Sequence, residues 1–191
     1  MNINKKTRYI VYTGLFSALA IILYFIEFPV FTQYLKVDLG DLPAAIAAIL
    51  LGPSAGVLVE FVKNIIHLVI RGAGETMGYG DLINFIVGSA YVVPVSILTR
   101  AMLNKNSNLA FAVGLSGVVG LISMVAIGVL GNYLVAPLYF QFMLHITLTG
   151  PALWGAIGSA TLLNLLKSIL LTFLLVPLSI AGKKYFLAFL K

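Results

Sequence analysis

Long apolar runs, separated by short polar or glycine-rich stretches, dominate this chain. The runs do not alternate apolar and polar residues as the strands of a membrane β-barrel do. Runs of this length are typical of helices that cross a bilayer. The pattern predicts six helices, which are Tyr9–Glu27, Leu42–Leu51, Ser54–Ile70, Leu82–Leu103, Leu109–Val135 and Ala152–Ala181. We therefore expect an all-α, polytopic membrane protein in which residues 1–191 form a single transmembrane domain.

The pair Gly52-Pro53 decides how many segments cross the membrane. The run before it, which begins after Asp41 as a predicted N-cap, has about ten residues and measures roughly 15 Å, which is too short to span alone. Fused with the next run it would measure about 43 Å, which is too long for one upright helix. A break with six segments places most of the basic residues at one side of the membrane, namely Lys5, Lys6, Arg8, Arg100, Lys105, Lys183, Lys184 and Lys191. The positive-inside rule then predicts that both termini are cytoplasmic.

Composition agrees with a membrane protein and narrows its chemistry. The chain is 61% hydrophobic and only 9% charged, and its mean hydropathy is +1.07. It contains no cysteine, which excludes disulfides and thiol catalysis. The net charge of +6 is explained by the basic ends of the helices and not by a nucleic-acid partner, since no basic stripe with interleaved aromatic residues occurs.

Lys167 is the only charged residue between Ala152 and Ala181. A lysine at bilayer depth costs roughly 2.5–3.5 kcal/mol on insertion scales unless it is paired. We expect it to face the bundle interior, a partner or a polar ligand. Asn164 lies three residues earlier and so shares its helix face.

Asn132, at the end of the fifth predicted helix, is expected to converge with Asn164 and Lys167. Two carboxamides and an ammonium supply donors and acceptors but no nucleophile. Such a set suits the edge of a neutral, planar, imide-like ligand better than catalysis. The alternative is that these residues hold helices together through hydrogen bonds.

A second polar stripe follows one face of the third predicted helix and comprises Glu60, Lys63, Asn64, His67 and Arg71. We interpret it as an internal Glu60–Lys63 ion pair that braces the bundle, and we expect no metal site. Asn84 is either a cap-region residue or part of a pocket. The mixed stretch Thr32–Asp41, with Lys36 and Leu39, is either a lid over a pocket or a simple outer connector.

Two short motifs remain. Gly14 and Ala18 have the spacing at which small residues let another helix approach closely, either from a partner or within the bundle. Gly114-Leu115-Ser116-Gly117 has the form GxSG that is found in intramembrane serine proteases. The last predicted helix carries no histidine to activate Ser116, so packing of small residues is the better interpretation.

The segments KVDLGDLPAAIAAILLGPSAGVLVEFVKNIIHLV, GNYLVAPLY and LLNLLKS resemble the substrate-capture (S) subunits of energy-coupling factor (ECF) vitamin transporters, and most closely the riboflavin-specific ones. The resemblance implies that Asn132, Asn164 and Lys167 hold the polar edge of the flavin ring. It implies that the connector closes over the ligand, which makes Leu39 and Lys36 lid contacts, and Asn84 is added to this predicted site. Gly14 and Ala18 would contact the transmembrane coupling subunit, although glycine stands here where alanine is commoner.

The resemblance also implies a multi-pass protein of the bacterial plasma membrane that works with the coupling subunit and two cytoplasmic ATPases. Riboflavin would be transported and would not be a cofactor, and the chain itself would be neither an enzyme nor an ATPase, since it has no Walker motif. The alternatives are an S subunit for another vitamin-like solute and, less favoured, an intramembrane serine hydrolase.

Overall fold

The computed structural model describes residues 4–30, 36–72 and 77–190 and is almost wholly helical. The described elements are α1 (Lys5–Phe25), β1 (Phe28–Pro29), β2 (Lys36–Val37), α2 (Asp41–Leu51), α3 (Pro53–Arg71), α4 (Tyr79–Asn104), α5 (Leu109–Leu144), α6 (Gly150–Ala181) and α7 (Lys183–Leu190). The predicted all-α fold class is confirmed. Five of these helices are long and apolar enough to cross a membrane, and α2 is a shorter apolar helix beside them.

A sharp reversal separates α2 from α3 at the predicted break. Gly52 has φ +115°, a backbone conformation that L residues rarely adopt, and Pro53 opens α3 because its fixed φ suits a first helical position. Asp41 and Lys63 lie eleven residues before and after Gly52, about 16 Å along each helix, yet their side chains form an ion pair. The two helices therefore pack side by side as a hairpin.

Helix α4 holds the end of α2 in place. The last turn of a helix leaves backbone carbonyls without intrahelical donors, and here side chains from α4 supply them. The Arg100 guanidinium donates to the carbonyls of Ile49 (2.9 Å) and Leu50 (3.2 Å), and the Ser96 hydroxyl donates to that of Ala48. The alanine-rich α2 is thereby fixed at the centre of the bundle, where most of its residues are buried.

Several predicted boundaries were wrong. Helix α5 does not end near Val135 but continues through Pro137 to Leu144, so only residues 145–149 connect it to α6. An internal proline removes one backbone hydrogen bond, and helices in membranes tolerate this loss. Asp41 is not an N-cap; it is the first residue of α2, and its side chain points to Lys63. Helix α4 begins at Tyr79 rather than Leu82, and α1 begins at Lys5 after an Asn4 cap.

A two-stranded hairpin leads from α1 back toward α2. Strands β1 and β2 pair antiparallel, with Phe28 opposite Val37 and Pro29 opposite Lys36. Part of the stretch Thr32–Asp41 that was considered as a lid, residues 32–35, lies outside the described residues. The described part returns the chain to the bundle at Asp38, which is buried.

Candidate functional site

Lys167 lies inside the bundle, as predicted, with 3% of its surface exposed. Its ammonium nitrogen donates to Asp38 Oδ2 and to Asn84 Oδ1, each at 2.9 Å, and lies 2.9 Å from Asp41 Oδ2. The part of the expectation that places this cation in the bundle interior is met, and two protein carboxylates neutralise it there. Contact between Lys167 and a ligand stays a prediction. The burial of Lys167 is therefore explained by its ion pairs and is not by itself evidence for a ligand. Evidence for a ligand has to come from the residues around it.

The predicted Glu60–Lys63 ion pair is present, and it is joined to the Lys167 cluster. Lys63 Nζ lies 2.7 Å from Glu60 Oε2 and also donates to Asp41 Oδ1. All three side chains are fully buried. Asp41 bridges the two lysines, one through each carboxylate oxygen. These contacts make one continuous buried network across α2, α3 and α6, and charges so buried depend on one another for compensation.

Asn84 belongs to this network and not to a helix cap. Its Oδ1 accepts from Lys167, and its Nδ2 donates to Asn64 Oδ1 at 3.1 Å. Asn64 in turn donates to the Glu60 carbonyl. Asn84 is therefore not a cap-region residue, and its place in a ligand pocket stays a prediction.

Asn132 and Asn164 meet at Gly128. Asn132 Nδ2 donates to the Gly128 carbonyl (2.8 Å), and Asn132 Oδ1 accepts from Tyr79 (3.0 Å). An added Cβ at Gly128 would lie 2.4 Å from Asn164 Nδ2, so only glycine leaves room for that carboxamide. The structure thus brings the predicted asparagines of α5 and α6 together.

The Asn164 carboxamide differs from its neighbours because it makes no hydrogen bond to any other residue in the described part of the chain, although Asn164 is only 6% exposed. Its oxygen and nitrogen are not fully buried, so they are open to a ligand as well as to water. A carboxamide both donates and accepts hydrogen bonds, and it suits a ligand that does the same. This is the strongest indication of a binding site that the side chains give.

The remaining predicted ligand contacts lie on the connector. Lys36 Nζ donates to Glu27 (2.6 Å), and Glu27 also pairs with Arg71 at the end of α3. These ion pairs tie the hairpin to α3 and leave Lys36 outside the Lys167 network. Leu39 is half-buried, and its carbonyl accepts from the Leu42 N–H. Ligand contact at either residue stays a prediction.

His67 forms a small cluster with α1 and α4. Its ring stacks on Tyr24 with centroids 4.0 Å apart, and its Nδ1 lies 2.6 Å from Asp81 Oδ1, which also accepts from Tyr24. The described residues contain no group of three or more possible metal ligands. The cluster therefore links helices and does not resemble a metal centre.

Gly14 and Ala18 are exposed and line a shallow apolar groove of about 440 Å³ between α1 and α3. An added Cβ at Gly14 would meet nothing within 4 Å. Gly14 therefore does not mediate close packing among the described residues, and the alternative of ordinary packing within the bundle does not describe it.

Ser116 is fully buried, and its hydroxyl donates to the Ala112 carbonyl one turn earlier at 2.6 Å. An added Cβ at Gly117 would lie 2.3 Å from a Thr172 side-chain carbon, so the small residues of GxSG let α5 and α6 approach closely. The contacts of His67 are with α1 and α4 and do not include Ser116. Close packing accounts for this motif.

Three functional candidates were not predicted from the sequence. Asp38 and Asp41 pair with Lys167, and Tyr79 orients Asn132. One signal could have identified the two aspartates. A lysine in the membrane interior requires a carboxylate partner, and the chain has only six Asp and Glu residues from which to choose it.

Comparisons with known proteins indicate one family. The model of the family "ECF transporter, substrate-specific component" matches residues 8–179. Riboflavin transporter FmnP of Bacillus subtilis (strain 168) is 32% identical over 171 residues, which are 87% of this chain and 87% of FmnP. Riboflavin transporter RibU of Staphylococcus aureus (strain TCH60) is 28% identical over 141 residues, which are 73% of this chain and 70% of RibU.

A solved structure has the same fold. It is described as the structure and mechanism of the S component of a bacterial ECF transporter, and it superposes with a TM-score of 0.75 at 21% identity. The alignment covers 95% of this chain and 98% of the other. At this identity the likeness shows the fold alone. With the family match over most of the chain, it follows that this multi-pass membrane protein belongs to the family of substrate-specific components of ECF transporters.

Proposed function

We propose that this chain is the riboflavin-binding subunit of an ECF importer in a bacterial plasma membrane. The observation that carries the proposal is the similarity to riboflavin transporter FmnP over 87% of the chain. The carboxamide of Asn164 supports it, because it makes no hydrogen bond to a described residue and is open to a ligand with both donors and acceptors. The chain captures the vitamin from outside and is not itself an enzyme.

The polar edge of a flavin ring fits the groups around Gly128. That edge carries an imide N–H between two carbonyls. Asn164 offers both an acceptor and a donor, Asn132 retains a second amide hydrogen beyond its bond to Gly128, and the Lys167 ammonium donates to a carbonyl. The apolar faces of α4, α5 and α6 would enclose the rest of the ring.

Transport requires partners, because nothing in the sequence resembles an ATP-binding motif. The groove beside Gly14 and Ala18 is exposed, apolar and open to a close helix approach. We assign it to the transmembrane coupling subunit, with two cytoplasmic ATPase subunits behind it. Replacing Gly14 with leucine should prevent co-purification of the coupling subunit and leave riboflavin binding unchanged.

A fluorescence titration tests the proposed ligand. The protein is purified in detergent from cells grown without flavin, and riboflavin fluorescence is followed as protein is added. We expect saturable quenching with one flavin per chain, and a yellow preparation when cells are grown with flavin. No quenching of riboflavin, together with binding of thiamine or biotin measured by calorimetry, would assign the chain to another vitamin.

A ligand analogue tests whether the protein binds the imide edge of the flavin ring. Methylation of riboflavin at N3 removes the imide hydrogen and leaves both carbonyls. If Asn164 accepts from that hydrogen, the analogue should bind at least about tenfold more weakly, which is the loss of one hydrogen bond in a buried site. Asn164→Leu should weaken riboflavin binding and should also abolish the difference between the two ligands. Equal binding of both ligands by the unaltered protein would contradict this assignment.

A further inference from the structure

Three oxygens lie 2.9 Å from the Lys167 ammonium nitrogen, and the residues that supply them differ in how many other contacts fix their positions. The ammonium donates hydrogen bonds to Asp38 and Asn84, and Asp41 Oδ2 lies beside it as an ion-pair partner that accepts no hydrogen bond. A flavin carbonyl that approaches the nitrogen therefore competes with these three oxygens for the ammonium.

Of the three residues that supply these oxygens, Asp38 has the fewest other contacts that fix its position. Asp41 is the first residue of α2 and also pairs with Lys63, and Asn84 is within α4 and also bonds Asn64. Asp38 lies outside the helices, between β2 and α2, and its other contact is the Gly40 N–H at 2.8 Å, two residues away. Moving Asp38 therefore breaks no helix and no second interhelical contact.

The network also leaves Lys167 a second partner. It contains three carboxyl groups (Asp38, Asp41, Glu60) and two ammonium groups (Lys63, Lys167), and each of these side chains is at most 4% exposed. Asp41 lies beside both ammonium groups. Lys167 therefore keeps a buried carboxylate partner when Asp38 withdraws toward water.

We propose that Asp38 is an internal competitor for Lys167, which a ring carbonyl of the ligand displaces when it binds. The inference rests on the proposed function and deepens it, since it assigns control of riboflavin affinity to a residue of the connector. When no ligand is bound, the Asp38 carboxylate accepts a hydrogen bond from the Lys167 ammonium. Binding must then include the release of Asp38, which lowers the affinity and slows association.

Asp38→Asn tests this directly. The variant is nearly isosteric, its side-chain oxygen can still accept from Gly40, and it removes the negative charge that competes for Lys167. We expect riboflavin to bind about tenfold more tightly, the gain from deleting one charged competitor, and to associate faster in stopped-flow quenching. In a Lys167→Met background the same substitution should change the dissociation constant by less than about twofold, because competition requires the ammonium. Glu27→Gln, which alters the connector's other ion pairs, should leave affinity unchanged.

The unaltered protein provides a test that needs no variant. If Asp38 must leave first, the observed association rate should level off as riboflavin concentration rises. A rate that stays linear, or weaker or unchanged binding by Asp38→Asn while the unaltered protein binds riboflavin, would overturn the inference. Failure of the unaltered protein to bind riboflavin would instead refute the proposed function and this inference with it.

Discussion

Lys63→Met is the sharpest test of the buried network, because it removes a cation without changing side-chain length much. Lys63 compensates Asp41 and Glu60, and all three side chains are fully buried. Methionine fills the same space but leaves two carboxylates with less positive charge near them. Water does not reach these groups in the structure, since Lys63, Asp41 and Glu60 are each 0% exposed.

The size of the effect follows from the burial. Removing one partner of a buried ion pair costs about 3–5 kcal/mol. For a chain of this length, 1 kcal/mol shifts the melting temperature by about 2–4 °C, so we expect a fall of roughly 6–20 °C. The single tryptophan, Trp154, reports unfolding by its fluorescence in detergent, and gel filtration of heated samples provides a second readout.

Lys36→Met is the matched control. Lys36 also pairs with a carboxylate, that of Glu27, but its side chain is 31% exposed. Exposed pairs contribute about 0–1 kcal/mol, so its melting temperature should fall by less than about 4 °C. If Lys63→Met melts within that same range, the network does not stabilise the fold in the way we describe.

Three other substitutions separate stability from binding. Gly128→Ala should weaken riboflavin binding at least about tenfold by displacing Asn164, whereas Gly155→Ala, which meets nothing within 4 Å, should not; equal affinities would show that Asn164 does not contact the ligand. Arg100→Ala removes the donor to two α2 carbonyls and should lower stability by about 1–3 kcal/mol with an unchanged dissociation constant; a melt indistinguishable from that of the unaltered protein would contradict this capping role. Ser116→Ala should leave binding unchanged, since the hydroxyl contacts only its own helix; loss of a hydrolytic activity would instead revive the protease alternative.

The helices were predictable because long apolar runs and the Gly52-Pro53 pair carry local signals. A glycine that adopts φ +115° and a proline suited to the first turn decide that reversal within two residues. The predicted end of α5 near Val135 was wrong because a proline, which usually ends a helix in a soluble protein, can lie inside a membrane helix. The sequence offers no local feature that separates the two outcomes.

The site was only partly predictable, for a different reason. Lys167, Asn164 and Asn132 stand out because each is polar in an apolar run. Asp38 did not, because it lies in a mixed stretch that is typical of an outer connector and is 129 residues from the lysine it pairs with. Pairing across such a separation depends on how the α2–α3 hairpin packs against α6, which single-residue patterns do not specify.

A structure of the protein with riboflavin bound tests the central claim most directly. Our account predicts that a ring carbonyl lies within hydrogen-bond distance of Lys167 Nζ, that the ring imide contacts Asn164, and that the Asp38 carboxylate has left the ammonium. A flavin bound elsewhere, with Lys167 still held by Asp38, Asp41 and Asn84, would contradict it.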